Sequence, residues 1–348
     1  MRLRLAFVGF GVVGQGVAEV LRDKGKQLAE RYGVELVITA VTDAKKGAAA
    51  DPAGLDPAKL LSWLGKHGSL NGYPAPATGW DSLTTIKKAE ADVVVEASWT
   101  DVKTGGPALE HFRTCFAAGK HLVTTNKGPM VVAPQEMIEK AMAAGVELRW
   151  EGTVMSGTPV ISTARRGLAG CTISGFSGIL NGTTNFMLTE MEGGKSYEAV
   201  LKQAQELGYA EADPSGDVLG WDAAGKVVIL ANTVLHVPLK LTDVKITTGI
   251  TKISLDDVRA AAAAGERWKL IAEARIEGGT VEAQVLPQRL PLANPLAGVM
   301  GPTNAVTFHT DLVGPVTIVG AGAGRSQTAF AVISDLLDIH RTLVERQG

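Results

Sequence analysis

Cysteine is scarce: Cys115 and Cys171 are the only two in 348 residues. Two cysteines cannot build a disulfide framework, so a reducing, cytoplasmic setting is expected. An excess of one charge is also absent. The formal net charge is −2, which leaves no electrostatic footprint for nucleic acid or for an anionic membrane surface. No stretch has the roughly 18 uncharged apolar residues needed to cross a bilayer. Met1-Arg2-Leu3-Arg4-Leu5 lacks the apolar run and small-residue cleavage site of a signal peptide. The six histidines are scattered without ligand spacing. There is no internal repeat, and only residues 260–264, an alanine run, are locally simple. What remains is a chain 45% hydrophobic, long enough for about two domains with real cores.

The stretch richest in chemistry is Leu207-Gly208-Tyr209-Ala210-Glu211-Ala212-Asp213-Pro214-Ser215-Gly216-Asp217-Val218-Leu219-Gly220-Trp221-Asp222-Ala223-Ala224-Gly225-Lys226. It leads into residues 223–232, a helical segment apolar nearly all round apart from Lys226, and such helices are buried. Asp222 and Lys226 stand four apart and share one helix face. Taken alone, such a pair is ordinary surface decoration. On a buried helix, however, a lysine needs carboxylates or polar substrate, because an unpaired buried ammonium is very costly. Glu211, Asp213, Asp217 and Asp222 lie in one segment able to fold back over it. Carboxylates facing a lysine suit a small substrate that itself carries an ammonium group.

The N-terminal half alternates strands with helices. A strand over residues 4–9 runs into Gly9-Phe10-Gly11-Val12-Val13-Gly14 and then a helix. In a G-x-G-x-x-G placed there, glycine permits a tight turn and close approach of a pyrophosphate, which then sits on the helix N-terminus. The second strand, 35–42, ends at Asp43, which is placed to hold adenosine ribose hydroxyls and to favour NAD over NADP. Lys45 and Lys46 follow and are open to either a solvated-loop role or reception of a 2′-phosphate. Residues 51–73 read as an irregular excursion. Strands at 92–97 and 121–125 end at Ser98 and just before Lys127. This alternation predicts a Rossmann-type doubly wound parallel α/β sheet, whose ligands bind beyond the carboxyl ends of the strands. Ser98 and Lys127 are therefore cofactor-side candidates.

Downstream, a strand over 174–180 precedes Asn181-Gly182-Thr183-Thr184-Asn185, where Asn and Thr suit a helix cap. Residues 238–250 are turn-rich. Strands over 269–277 and 280–286 form a hairpin through Gly278-Gly279, giving a second α+β domain whose sheet needs a covering partner. Residues 316–319, a second glycine turn at 320–324 and an amphipathic helix over 327–346 read as a strand–turn–helix returning to the first domain. The expected division is a nucleotide-binding domain over 1–135, a catalytic and dimerisation domain over 136–308, and the returning element over 309–348. Cys115 falls in an apolar helical pattern, as a core residue does.

Gly208-Tyr-x-Glu-x-Asp-Pro, then Asp217, then Gly220-x-Asp-x-x-x-Lys226 resembles the signature of homoserine dehydrogenases. Thr124-Thr125-Asn126-Lys127-Gly128-Pro129 and Gly178-Ile179-Leu180-Asn181-Gly182-Thr183-Thr184-Asn185 are similar to other segments of that family. The resemblance runs from Gly9 to the last helix. It implies reversible reduction of L-aspartate 4-semialdehyde to L-homoserine with NAD or NADP, in threonine, methionine and isoleucine biosynthesis, by a homodimer or homotetramer. It also implies that Gly182 and Thr183 face the substrate, that Gly324 touches the cofactor, and that a monovalent cation, sodium, binds Glu151 and the main-chain oxygens of Val154, Ser156 and Thr158. The family often has alanine at the Ser156 position, a departure without consequence for a main-chain ligand. Hydride transfer to an aldehyde leaves an alkoxide that needs a proton. Lys226 is the expected donor, with Lys127 polarising the carbonyl oxygen or relaying the proton. Glu211 would hold the substrate ammonium, with Asp217 and Asp222 orienting Lys226 or the substrate. The turn and helix after residue 320 account for the remaining chain, so neither a C-terminal regulatory domain nor an allosteric threonine site is expected. Rival readings are another amino-acid dehydrogenase of the same fold, an aspartate-semialdehyde dehydrogenase needing an exposed acyl-forming cysteine, and a cofactor-sensing protein without activity.

Overall fold

Four consecutive apolar residues, Leu5 through Val8, are buried on both faces of strand β1 (Arg2–Val8), as expected for the middle of a parallel sheet. The computed structural model describes residues 1–246 and 249–346. Residues 247 and 248 of the turn-rich segment, and 347 and 348 of the closing element, lie outside the described residues. The chain divides into two units, Met1–Gly157 with Gly324–Gly348, and Thr158–Ala323.

In the first unit, β1 is joined by β2 (Glu35–Asp43), β3 (Gly47–Ala50), β4 (Ala77–Thr78), β5 (Val93–Glu96), β6 (His121–Thr124) and β7 (Leu148–Arg149). The order is β4-β3-β2-β1-β5-β6-β7. β2, β1, β5, β6 and β7 pair in parallel, each with its neighbour. The order reverses at β1, with β2 on one side and β5 on the other, which places the ligand crevice beyond the carboxyl ends of β1 and β5. The doubly wound parallel reading holds. It omits β3 and β4, which extend the sheet by antiparallel pairing. The alanine run Ala48–Ala50 has little strand propensity; its pairing with β2 and β4, with Ala50 packed among Ala6, Ala40, Ala89 and Ala91, makes it a strand.

The helices Val12–Tyr32 and Arg325–Glu345 both pack into the core of this unit, through Val17, Ala18 and Leu21 from one and Ala329, Val332, Ile333 and Leu336 from the other. Each buried Val, Leu or Ile among these stabilises the unit by about 1.5–3 kcal/mol, and each alanine by less. A forked pair, Arg325 Nε and Nη2 to Glu19 at 2.9 and 2.7 Å, ties the two helices.

The second unit holds β8 (Ile173–Ile179), β9 (Lys245–Ile246), β10 (Glu266–Glu277), β11 (Thr280–Pro291), β12 (Thr303–Thr310) and β13 (Pro315–Ala321), in the order β13-β12-β8-β10-β11-β9. β10 and β11 form the expected hairpin, from Glu277 opposite Thr280 to Glu266 opposite Pro291. The strand expected over 316–319 does not return to the nucleotide sheet. It is β13, paired along its length with β12, and only the helix after it belongs to the first unit. The helices Gly182–Glu192, Trp221–Leu230 and Leu255–Ala263 pack on this second sheet. Ala223 through Leu230 are all buried, Lys226 included.

Candidate active site

The second unit builds one polar cluster where β8 ends. Lys226 Nζ donates to Leu180 O at 2.6 Å and lies 2.7 Å from Asp222 Oδ2. Its side chain is 8% exposed, so the ammonium is held where water screens it little. Asn181 stands beside this pair. Its Nδ2 donates to Asp217 Oδ1 at 2.6 Å and to Asp222 Oδ2 at 3.1 Å. Its Oδ1 accepts from Thr184 N at 2.9 Å, capping the helix Gly182–Glu192. The cap orients the carboxamide, and the carboxamide orients both carboxylates. Gly182 opens that helix where a side chain has no room, since a Cβ would lie 2.7 Å from Pro302 O. Thr183 Oγ1 donates to Tyr209 O at 2.6 Å, fastening the helix start to the carboxylate-bearing segment.

Asp217, Asp222, Lys226, Gly182 and Thr183 are thus gathered around Asn181. Glu211 and Asp213 stay exposed, and Asp213 Oδ1 accepts from Ser215 N at 3.1 Å. The short helix Ser215–Val218 turns Asp217 inward, whereas residues 211–213 precede it as an outer turn. Sequence reading gives Asn181 only its cap. Its second role has one sequence signal, an asparagine directly after a strand, and that does not reveal which carboxylates meet it.

The first unit supplies a nucleotide-type crevice. Gly9 has φ +91°, and a Cβ there would lie 2.6 Å from Ser98 N, so only glycine lets the loop after β1 touch the end of β5. Gly11 precedes the 21-residue helix Val12–Tyr32, whose start has no side-chain cap, and Gly14, Val12 and Val13 form its first turn. Uncapped N–H groups at a long helix start suit a bound anion. Asp43 Oδ2 accepts from Phe10 N at 2.8 Å, and Oδ1 accepts from Lys45 N and Lys46 N at 3.0 Å each. Lys46 Nζ lies 3.6 Å from the same carboxylate. Burial raises the Asp43 carboxyl, but these hydrogen bonds and the lysine charge outweigh it and hold the group below its ordinary value. Lys45 is exposed.

Lys127 is half-buried at the start of the helix Lys127–Val132, capped by Asn126 Oδ1, which accepts from Gly128 N at 2.9 Å. Gly324 precedes the helix Arg325–Glu345 with φ +132°. Glu151 opens a 3₁₀ turn, Glu151–Thr153, and is buried. Its N–H donates to Asp335 Oδ2 at 2.9 Å. Burial, then the adjacent Glu151 charge, push the Asp335 carboxyl well above its ordinary value. Val154 is buried, and Ser156 sits at φ +52° with Oγ 2.7 Å from Thr328 Oγ1. In the second unit, Thr158 Oγ1 donates to Ala321 O at 3.0 Å. Among the described residues, no group of three or more His, Cys, Asp or Glu side chains is arranged to hold a metal ion, and no helix is long and apolar enough to cross a membrane.

A nucleotide-type parallel sheet in one unit and a buried lysine–carboxylate cluster in the other define a dehydrogenase-like oxidoreductase. The homoserine dehydrogenase family model matches residues 159–337, and the model of that family's NAD binding domain matches residues 9–151. An NAD(+)-dependent homoserine dehydrogenase from Pseudomonas canavaninivorans is 43% identical over 99% of this chain and 98% of its own length. A crystal structure of a homoserine dehydrogenase from Thiobacillus denitrificans is 34% identical with a TM-score of 0.85, over 99% of this chain and 74% of that one. A hyperthermophilic archaeal homoserine dehydrogenase mutant in complex with NADPH is 27% identical with a TM-score of 0.84, over 98% of both chains. The chain belongs to the homoserine dehydrogenase family and is an oxidoreductase.

Proposed function

We propose that the chain interconverts L-homoserine and L-aspartate 4-semialdehyde, with Lys226 moving the proton of the reacting oxygen. The observation that carries this is the buried Lys226 ammonium, fixed between Leu180 O and Asp222 Oδ2. A lysine so held has its N–H vectors set before substrate arrives, as proton transfer requires. A nicotinamide cofactor, when bound, supplies the hydride or takes it up. Lys226 gives a proton to the alkoxide in reduction and takes it from the hydroxyl in oxidation. Lys127 is the second candidate for polarising the oxygen. Asp217 and Asp222, with Gly182 and Thr183, orient Lys226 and the amino-acid end of the substrate, and Glu211 receives its ammonium.

The residues of the first unit fit the cofactor: a loop in which Gly9 and Gly14 leave no room for a side chain while Gly11 faces open space, an uncapped helix start, and Ser98 against Gly9, with Gly324 the further candidate. NAD is used well and NADP is accepted. This reading is supported by the Asp43 carboxylate, paired with Lys46 on one side, and by an NAD(+)-dependent relative beside a neighbour that holds NADPH. The residues also fit a monovalent cation such as sodium. Two buried carboxylates, Glu151 and Asp335, adjoin a turn rich in main-chain oxygens, and hard oxygen donors suit that ion. Glu151, Val154, Ser156 and Thr158 would hold it. Two free cysteines accord with a cytoplasmic enzyme of the threonine, methionine and isoleucine pathways, and a homodimer or homotetramer would cover the polar side of the second sheet.

Cys115 cannot serve as an acyl-forming cysteine, because it is fully buried and burial pushes its thiol far up; Cys171 is partly exposed and lies just before β8. The test is a steady-state assay of L-homoserine with NAD and with NADP. Turnover with at least one cofactor is expected. No turnover with either, from protein shown to bind cofactor, would sink the substrate assignment.

A further inference from the structure

The ends of β5 and β6 meet on one carboxylate that the reaction does not use. Glu96, the last residue of β5, has no exposure at all. Its Oε1 accepts from Ser98 Oγ in a short hydrogen bond, from Ser98 N at 3.3 Å and from His111 Nδ1 at 3.1 Å. The single proton of Thr124 Oγ1 is shared between Glu96 O at 3.0 Å and Glu96 Oε2 at 3.3 Å, so Thr124 holds both the main chain and the carboxylate of Glu96. Thr124 Oγ1 in turn accepts from Asn126 N at 3.0 Å, and Asn126 Nδ2 donates to Trp99 O at 3.0 Å and Ser98 O at 3.3 Å. The circuit therefore closes: Glu96, Ser98, Asn126 and Thr124 hold one another. Behind it, His111 Nε2 lies 2.9 Å from Ser82 Oγ.

A carboxylate sealed from water costs free energy unless fully hydrogen-bonded, and an apolar side chain in its place would often be as stable or more so. Stability alone does not account for it. What the circuit does is fix the rotamer of Ser98 and the backbone of the two turns that follow β5 and β6, one packed on Gly9 and the other leading into Lys127.

We propose that Glu96, backed by His111, is a positioning residue for the nucleotide crevice, acting through Ser98 and through Thr124–Asn126. This rests on the reading that the first unit binds a nicotinamide cofactor. The test measures dissociation constants of NADH and NADPH by fluorescence for the wild type, Glu96→Gln, Ser98→Ala and the double variant, following whichever cofactor the wild type binds more tightly. About a tenfold weakening is expected for each single variant, with the double no weaker than the worse single, because residues acting through one another are not additive. Wild-type affinity in Glu96→Gln, or a double variant whose loss equals the product of the singles, overturns the proposal. If Glu96→Gln does not fold, Thr124→Val and Thr124→Ser decide. The valine, which lacks the hydroxyl, should weaken binding and the serine should not, and equal affinities overturn it. A wild type that binds neither cofactor removes the underlying reading and the inference with it.

Discussion

Lys226 Nζ and Asp222 Oδ2 lie 2.7 Å apart, one helical turn from each other, on a helix buried from Ala223 to Leu230. Surface pairs at this spacing contribute a few tenths of a kcal/mol. Here the second contact of the ammonium, to Leu180 O, belongs to a different element, so the pair is locked to the end of β8 and is not free to swing into solvent.

Replacing Lys226 with Ala should lower turnover by about 10²–10⁴, the range for a lost positioned proton donor. Cofactor affinity should hardly move. Near-normal turnover at neutral pH would transfer the donor role to Lys127.

Asn181 offers a sharper separation of structure from chemistry. Asn181→Asp keeps an oxygen for the Thr184 cap, worth about 0.5–2 kcal/mol, but sets a third carboxylate against Asp217 and Asp222, where like charges disfavour one another. The thermal midpoint should fall less than in Asn181→Ala, while homoserine turnover falls at least as far. If Asn181→Asp turns over homoserine as the wild type does, the carboxamide does not orient the two acids.

Glu211→Gln removes the charge proposed to meet the substrate ammonium while keeping its shape. Homoserine binding should weaken by about 1.5–3 kcal/mol, the scale of a charge-assisted hydrogen bond. An unchanged Michaelis constant for homoserine would exclude this role.

Asp43 holds the glycine loop through Phe10 N and keeps Lys46 close. Lys46→Ala should therefore reduce use of NADP more than use of NAD, read as the ratio of the two kcat/KM values. A strong NADP preference that survives both Lys45→Ala and Lys46→Ala would mean that Asp43 does not set the choice.

Lys269 gives a pH dependence with a definite sign. It is wholly buried on β10, with Nζ donating to Val299 O at 2.6 Å and Asn185 Oδ1 at 2.9 Å. Burial pushes its ammonium down to about 8 from 10.5. Between these values the unfolded chain keeps a proton that the folded chain releases, so stability rises with pH across that window. Below pH 8 both states are protonated and the cost of burial is constant. At 1.36 kcal/mol per unit, the gain amounts to about 3 kcal/mol. Urea unfolding of the wild type and of Lys269→Met at pH 8 and pH 10.5 measures it. The difference between the two proteins should change by that amount, and a difference independent of pH would show that Lys269 is not depressed.

Residue type and spacing determined a good deal without coordinates. The glycine loop, the β1–β2–β5–β6 alternation and the β10–β11 hairpin follow from periodicity and turn chemistry, which are local. Lys226 was legible because a charge on an all-apolar helix has few explanations. Tertiary structure decided the rest. The alanine strand β3 exists because small side chains elsewhere leave room for it, and β13 pairs with β12 although its glycine turn looks like that of a nucleotide domain. Which of four nearby carboxylates turn inward depended on a four-residue helix, too short to have a periodic signature. Asn181 meets its carboxylates, and Glu96 meets His111, across 15 to 41 residues, and hydrogen bonds over such separations leave no local pattern. They form only once the strands have brought their ends together.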